Sequence, residues 1–86
     1  MAVESATPLI LIVDDTRLDR EIARDAIGDR ARIETAASAE EALVCLARQR
    51  VDLLLTDLHL PGLSGLELLA RVRSDHARTD VVLITA

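Results

Sequence analysis

The chain has 86 residues, enough for one domain at most and only a marginal core. Half of the residues are apolar, which excludes simple disorder, and none is Phe, Trp or Tyr, so the core is aliphatic and no aromatic platform exists on which a nucleic-acid base could stack. The net charge of −5 has the wrong sign for a phosphate-backbone binder, and the single cysteine, Cys45, excludes an internal disulfide or a cysteine-based metal cluster. All ten basic residues are Arg. The longest N-terminal apolar run, Leu9 to Val13, is too short for a membrane span. Met1 to Pro8 holds an acid and no base, so it does not read as a signal peptide, and the expected compartment is the cytoplasm.

Leu9 to Val13 reads as a strand buried on both faces. Asp14-Asp15-Thr16 ends it, and Thr16 is placed to cap a helix whose Leu18, Ile22, Ala26 and Ile27 share one side. Gly28 stops that helix at the usual left-handed position. Ala31 to Thr35, with Ile33 its only large apolar residue, suits a short edge strand. Ser38 and Glu41 form a capping box for a second helix with an apolar stripe of Ala39, Ala42, Leu43, Leu46 and Ala47. Val51 to Leu55 is a second buried strand, ending at Thr56-Asp57. Leu58 to Gly62 is a loop with a Pro-Gly turn. Ser64 and Glu67 cap a third helix, with Leu66, Leu69, Ala70 and Arg73 down one side and Leu68 and Val72 beside them. Val81 to Ile84 is a further buried strand. Cys45 reads as a packed thiol and His76 as a solvated loop residue. The order βαβαβαβ implies a doubly wound, mainly parallel sheet.

In open α/β sheets, ligands bind beyond the carboxyl ends of the strands. Asp14 and Asp15 follow the first strand, Asp57 the third and Thr85 the fourth. Taken singly, each has a plainer reading: the Asp pair as a turn and cap, Asp57 as a loop acid, Thr85 as a strand residue. Together, at matching strand ends, they point to a site. If the first and third strands are neighbours, three carboxylates crowd one pocket and raise one another's pKa unless a cation intervenes. A hard divalent ion with oxygen ligands, Mg²⁺ above all, answers that need.

These residues resemble a known family, the receiver domain of bacterial two-component response regulators. Leu11-Ile12-Val13-Asp14-Asp15 is similar to that family's first strand and acidic pair. Asp52 to Asp57 and the following Leu58 to Gly65 are similar to its phosphoacceptor strand and loop, with Pro61 four and Gly65 eight residues after the acceptor. Val82-Leu83-Ile84-Thr85-Ala86 is similar to its fourth strand with hydroxyl and small residue. The resemblance runs from Leu9 to Ala86 and implies a flavodoxin-like sheet of strand order 2-1-3-4. It also implies that Asp57 is the phosphoacceptor, and that Asp15 and Asp57 ligate Mg²⁺ directly while Asp14 acts through water. The His59 backbone carbonyl would join the metal, Thr85 would hydrogen-bond the phosphoryl group, and Ala86 would leave room for it. The implied donor is a sensor histidine kinase or a histidine phosphotransfer protein. The family's Lys at the end of a fifth strand, its fifth-strand aromatic and its last two helices have no counterpart within the 86 residues, so the expected unit, 1–86, is a C-terminally incomplete receiver domain.

The expected function is therefore that of a signalling phosphoacceptor rather than an enzyme. The alternative is a receiver-like interaction or dimerisation module without productive phosphorylation, since the Lys is missing. An Asp-nucleophile phosphohydrolase fits worse, because such enzymes space their two acids two residues apart and Asp14-Asp15 are adjacent. Parallel crossovers are right-handed in about 98% of cases. In the order 2-1-3-4 that rule puts the first helix on one face of the sheet and the other two on the opposite face. One helix is too little cover for four strands, so self-association or completion by another segment is expected.

Overall fold

The structure, a computed structural model, describes residues 7–84. Strands and helices alternate as β1 (Leu9–Val13), α1 (Arg17–Ile27), β2 (Arg32–Ala36), α2 (Ala39–Arg48), β3 (Leu53–Asp57), α3 (Gly65–Asp75) and β4 (Asp80–Ile84), with a one-turn 3-10 helix, Gly28–Arg30, after α1. All strand pairs are parallel and the sheet order is β2-β1-β3-β4, the order that the resemblance implied. No helix among the described residues is long and apolar enough to cross a membrane.

Strand alternation divides the core. Leu9, Leu11 and Val13 of β1 and Leu54 of β3 point to one face, where they pack with Ala39, Ala42 and Leu46 of α2 and Leu68 and Val72 of α3. Ile12, equally buried, points to the other face, where α1 lies. The helix starts follow from local chemistry. The Ser38 hydroxyl accepts from the Glu41 N–H at 3.1 Å, while the Glu41 carboxylate reaches one residue further back, to the Ala37 N–H at 3.0 Å. Ser64 and Glu67 close a complete capping box, with bonds of 3.1 and 2.9 Å. Gly28 ends α1 with its N–H bonded to the Arg24 carbonyl, but at φ +63° and ψ −133° it lies outside the left-handed helical region expected for it, in a conformation where a residue with a Cβ would be strained.

The far end of the sheet is laced through one acid. The Asp52 carboxylate accepts from the Leu9 N–H at 2.8 Å, the Asp52 N–H donates to the Leu9 carbonyl, and the Asp52 carbonyl accepts from the Asp80 N–H. This holds the start of β1 and the start of β4 to the residue just ahead of β3.

Several expectations change. β2 begins and ends one residue later than the alternation suggested, and β3 two residues later, at Leu53–Asp57. Val51 is buried but precedes the strand, because ladder pairing with β1 and β4 extends through Thr56 and Asp57. Thr16 stands at the N-cap of α1, yet its side chain makes no capping bond. The buried stripe of α3 is Gly65, Leu68 and Val72, whereas Leu66 and Ala70 are exposed. The cause is the approach of Gly65 to the β3 end, which fixes the rotation of the helix. β4 is not buried on both sides: Val82 and Ile84 are each 45% exposed on the α1 face. The apolar side of α1 is also open, with Leu18 65% and Ile22 58% exposed, because α1 covers only the β1 side of that face. Cys45 packs against the core as expected.

Candidate functional site

The carboxyl ends of β1 and β3 are adjacent, and they carry the acids. Asp14 and Asp15 lie in the short connection Asp14–Thr16 that leads from β1 to α1, and Asp57 is the last residue of β3. One carboxylate oxygen from each of Asp14, Asp15 and Asp57 falls within 4.8 Å of the other two. Asp14 and Asp57 are half-buried, while Asp15 is exposed.

Main-chain bonds set these positions. The Asp14 N–H donates to the Ala36 carbonyl at the end of β2 at 3.1 Å. Its Oδ1 accepts from the Thr16 N–H at 2.9 Å, so the acid rather than the threonine caps the turn. Asp57 Oδ1 accepts from the His59 N–H at 3.0 Å, and the Leu58 N–H continues the ladder to the Ile84 carbonyl at 3.0 Å. The adjacent Thr56 is fully buried and its hydroxyl donates to the Asp57 carbonyl at 3.1 Å. A Cβ on Gly65 would stand 2.4 Å from the Asp57 carbonyl oxygen, so α3 can start this close to the acid only from a glycine.

At Asp14 burial acts first and the neighbouring charges second. Burial pushes the Asp14 carboxyl above the ordinary carboxylate value; the Thr16 N–H opposes that, and the charges of Asp57, Asp19 and Asp15 add to it. The donor set fits a hard divalent cation: carboxylate oxygens converging from two loops at one open edge, at separations that a single ion with ligand bonds of about 2.0–2.6 Å can bridge.

The structure thus brings together the sequence-selected Asp14, Asp15 and Asp57, with the His59 main chain bonded to the last. The His59 side chain is exposed and is not one of the clustered groups. Thr85 and Ala86 lie outside the described residues. Two participants had no clear sequence signal. Thr56 reads as one more strand residue, and Arg20 reads with the other scattered arginines as a partner for nearby acids, whereas its guanidinium donates to the Asp14 carbonyl at 2.6 Å.

Residues 10–86 match the response regulator receiver domain. The chain belongs to the receiver domain family of response regulators. A receiver structure from Thermotoga maritima, response regulator protein TrrA in complex with Mg²⁺-BeF, superposes with a TM-score of 0.88 at 33% identity, covering 93% of this chain and 70% of that one. Response regulator protein PilR of Pseudomonas aeruginosa is 42% identical over 78 residues, 88% of this chain and 17% of PilR. Sensor histidine kinase AruS of the same organism is 43% identical over 65 residues, 74% of this chain and 6% of the kinase. The chain therefore spans a minor part of the curated relatives it matches and about two thirds of the solved receiver. The receiver fold accounts for the site: its order 2-1-3-4 is what makes the ends of β1 and β3 neighbours.

Proposed function

We propose that this receiver domain accepts a phosphoryl group on Asp57 from a phosphohistidine, with Mg²⁺ held by Asp15, Asp57 and the His59 carbonyl, and with Asp14 acting through water. The observation that carries the reading is the convergence of three carboxylates, from two neighbouring strand ends, within 4.8 Å. The donor is a sensor histidine kinase or a histidine phosphotransfer protein, and the setting is the cytoplasm. On this reading Thr85 hydrogen-bonds a phosphoryl oxygen and Ala86 leaves it room. The chain is a phosphoacceptor, with no substrate turnover beyond self-phosphorylation and dephosphorylation.

The chemistry is a displacement at phosphorus. An Asp57 carboxylate oxygen forms the new O–P bond as the donor's N–P bond breaks, and the departing imidazole nitrogen keeps the electron pair. The His59 N–H, bonded to Oδ1, fixes the carboxylate plane, and the ladder bond from Leu58 holds the loop behind it. Bound Mg²⁺ supplies charge neutralisation at the phosphoryl oxygens.

Incubation with a small phosphodonor and MgCl₂, followed by intact mass and Phos-tag electrophoresis, tests the assignment. The native chain gains one base-labile phosphoryl group and Asp57→Asn gains none. Uptake by Asp57→Asn, or none by the native chain, refutes it. A ligand at 100 times its Kd adds about 2.7 kcal/mol of stability. Saturating Mg²⁺ therefore raises the native melting temperature and leaves Asp15→Ala unmoved.

A further inference from the structure

We propose that Arg20 is a positioning residue for the Mg²⁺ site, an inference that rests on reading the carboxylate cluster as that site. The connection that carries Asp14 and Asp15 is short and must hold two acids in place against their mutual repulsion. Its main chain is gripped from two sides. The Asp14 N–H bonds the Ala36 carbonyl at 3.1 Å, and the Asp14 carbonyl accepts from the Arg20 guanidinium at 2.6 Å. The second is a short, charge-assisted bond, of the stronger kind. Arg20 sits one turn into α1 and is half-buried, unlike the exposed Arg17 and Arg24 on the same helix. Arg17 pairs with Glu21 at 2.9 Å; Arg20 makes no carboxylate pair among the described residues and is spent on the carbonyl of the loop.

Two effects of Arg20 on a bound cation have opposite signs. As a nearby positive charge it repels Mg²⁺, so its removal would tighten binding. As the anchor of the Asp14 carbonyl it fixes the peptide between Asp14 and Asp15 and thereby the direction of both carboxylates, so its removal weakens binding. The geometry favours the anchor, because the guanidinium is bonded to the main chain of the ligand loop and, among the described residues, to no carboxylate. Partners that orient a metal ligand in this indirect way change affinity about 10–100-fold when lost.

Calorimetric titration of the 86-residue chain with MgCl₂ decides the sign. Arg20→Met, which keeps the apolar stem and loses both donor and charge, weakens Mg²⁺ binding by about tenfold. Arg20→Lys keeps affinity within about threefold, since an ammonium on a flexible stem restores one donor and the charge. Circular dichroism at each titration point confirms that both are folded, and Arg20→Gln carries the same sign test should Arg20→Met not fold. An unchanged or tighter Kd in the neutral variant overturns the inference. Failure of the native chain to bind Mg²⁺, or native-like binding by Asp15→Asn, overturns instead the reading of the site on which it rests.

Discussion

Replacing Gly65 by Ala separates helix propensity from packing, because the two predict opposite outcomes. Gly65 is the first residue of α3, where alanine alone would favour the helix by about 1 kcal/mol. The added methyl, however, would meet the Asp57 carbonyl oxygen at 2.4 Å, Leu58 Cα at 2.9 Å and the Leu58 carbonyl oxygen at 3.1 Å, where ordinary contact begins at 3.4 Å. All three are main-chain atoms, so no side chain can swing aside. Overpacking costs about 1–3 kcal/mol, and a rigid obstacle puts this case at the upper end. The helix start must retreat, which also strains the Gly65 N–H bond to the Leu58 carbonyl at 3.2 Å, worth about 1 kcal/mol. The net expectation is a loss of about 3 kcal/mol, or a melting temperature lower by about 12–24 °C in a domain of this size. Far-UV circular dichroism melts measure it, with Gly28→Ala as the comparison. There a Cβ has open space but the φ of +63° and ψ of −133° are retained, so the strain should cost about 1–3 kcal/mol. A Gly65→Ala chain that melts at or above the native temperature would refute the close-approach argument.

Two further outcomes follow from the same structure. The Ser64 N–H and hydroxyl hold the Glu67 carboxyl below its ordinary value of 4.5, so its contribution to stability is present above that pH and is lost as the pH falls through the lowered value; urea unfolding of the native chain and of Glu67→Gln should differ at neutral pH and converge in acid, and a gap that persists in acid contradicts the capping-box assignment. Ile22, Val82 and Ile84 leave apolar surface on the α1 face beside a β4 edge that is unpaired among the described residues, so the 86-residue chain should scatter light as more than one copy at tens of micromolar, shifting toward monomer in Ile22→Glu; a native monomer under those conditions disproves it.

Much of the fold is legible because run length and face pattern report burial directly. Leu9 to Val13 could only be an interior strand, and the adjacent Asp14-Asp15 could only fall at its carboxyl end. The acids were readable as a site because Asp57 repeats that placement after a second aliphatic run. The rotation of α3 was not readable: Leu66, Leu68, Leu69 and Val72 offer two plausible apolar faces, and the choice belongs to a main-chain approach at Gly65 that no hydropathy pattern encodes. The exposure of β4 was hidden for a related reason, since Val81 to Ile84 is aliphatic on both sides whether or not a helix covers each. Arg20 escaped notice because its partner is a carbonyl, and carbonyls leave no mark in a sequence.

The lacing at Asp52 gives the sheet a fixed datum. Three strands are aligned at their amino ends by one residue's carboxylate, N–H and carbonyl, while the carboxylates that matter stand at the opposite ends. Since a slip of one residue would turn every side chain to the other face, alignment must be settled somewhere, and here it is settled away from the chemistry. The working edge adds main-chain bonds of its own, from the Asp14 N–H to the Ala36 carbonyl and from the Leu58 N–H to the Ile84 carbonyl. A change at Asp52, remote from any reacting atom, would therefore be felt at Asp57 through the strands themselves.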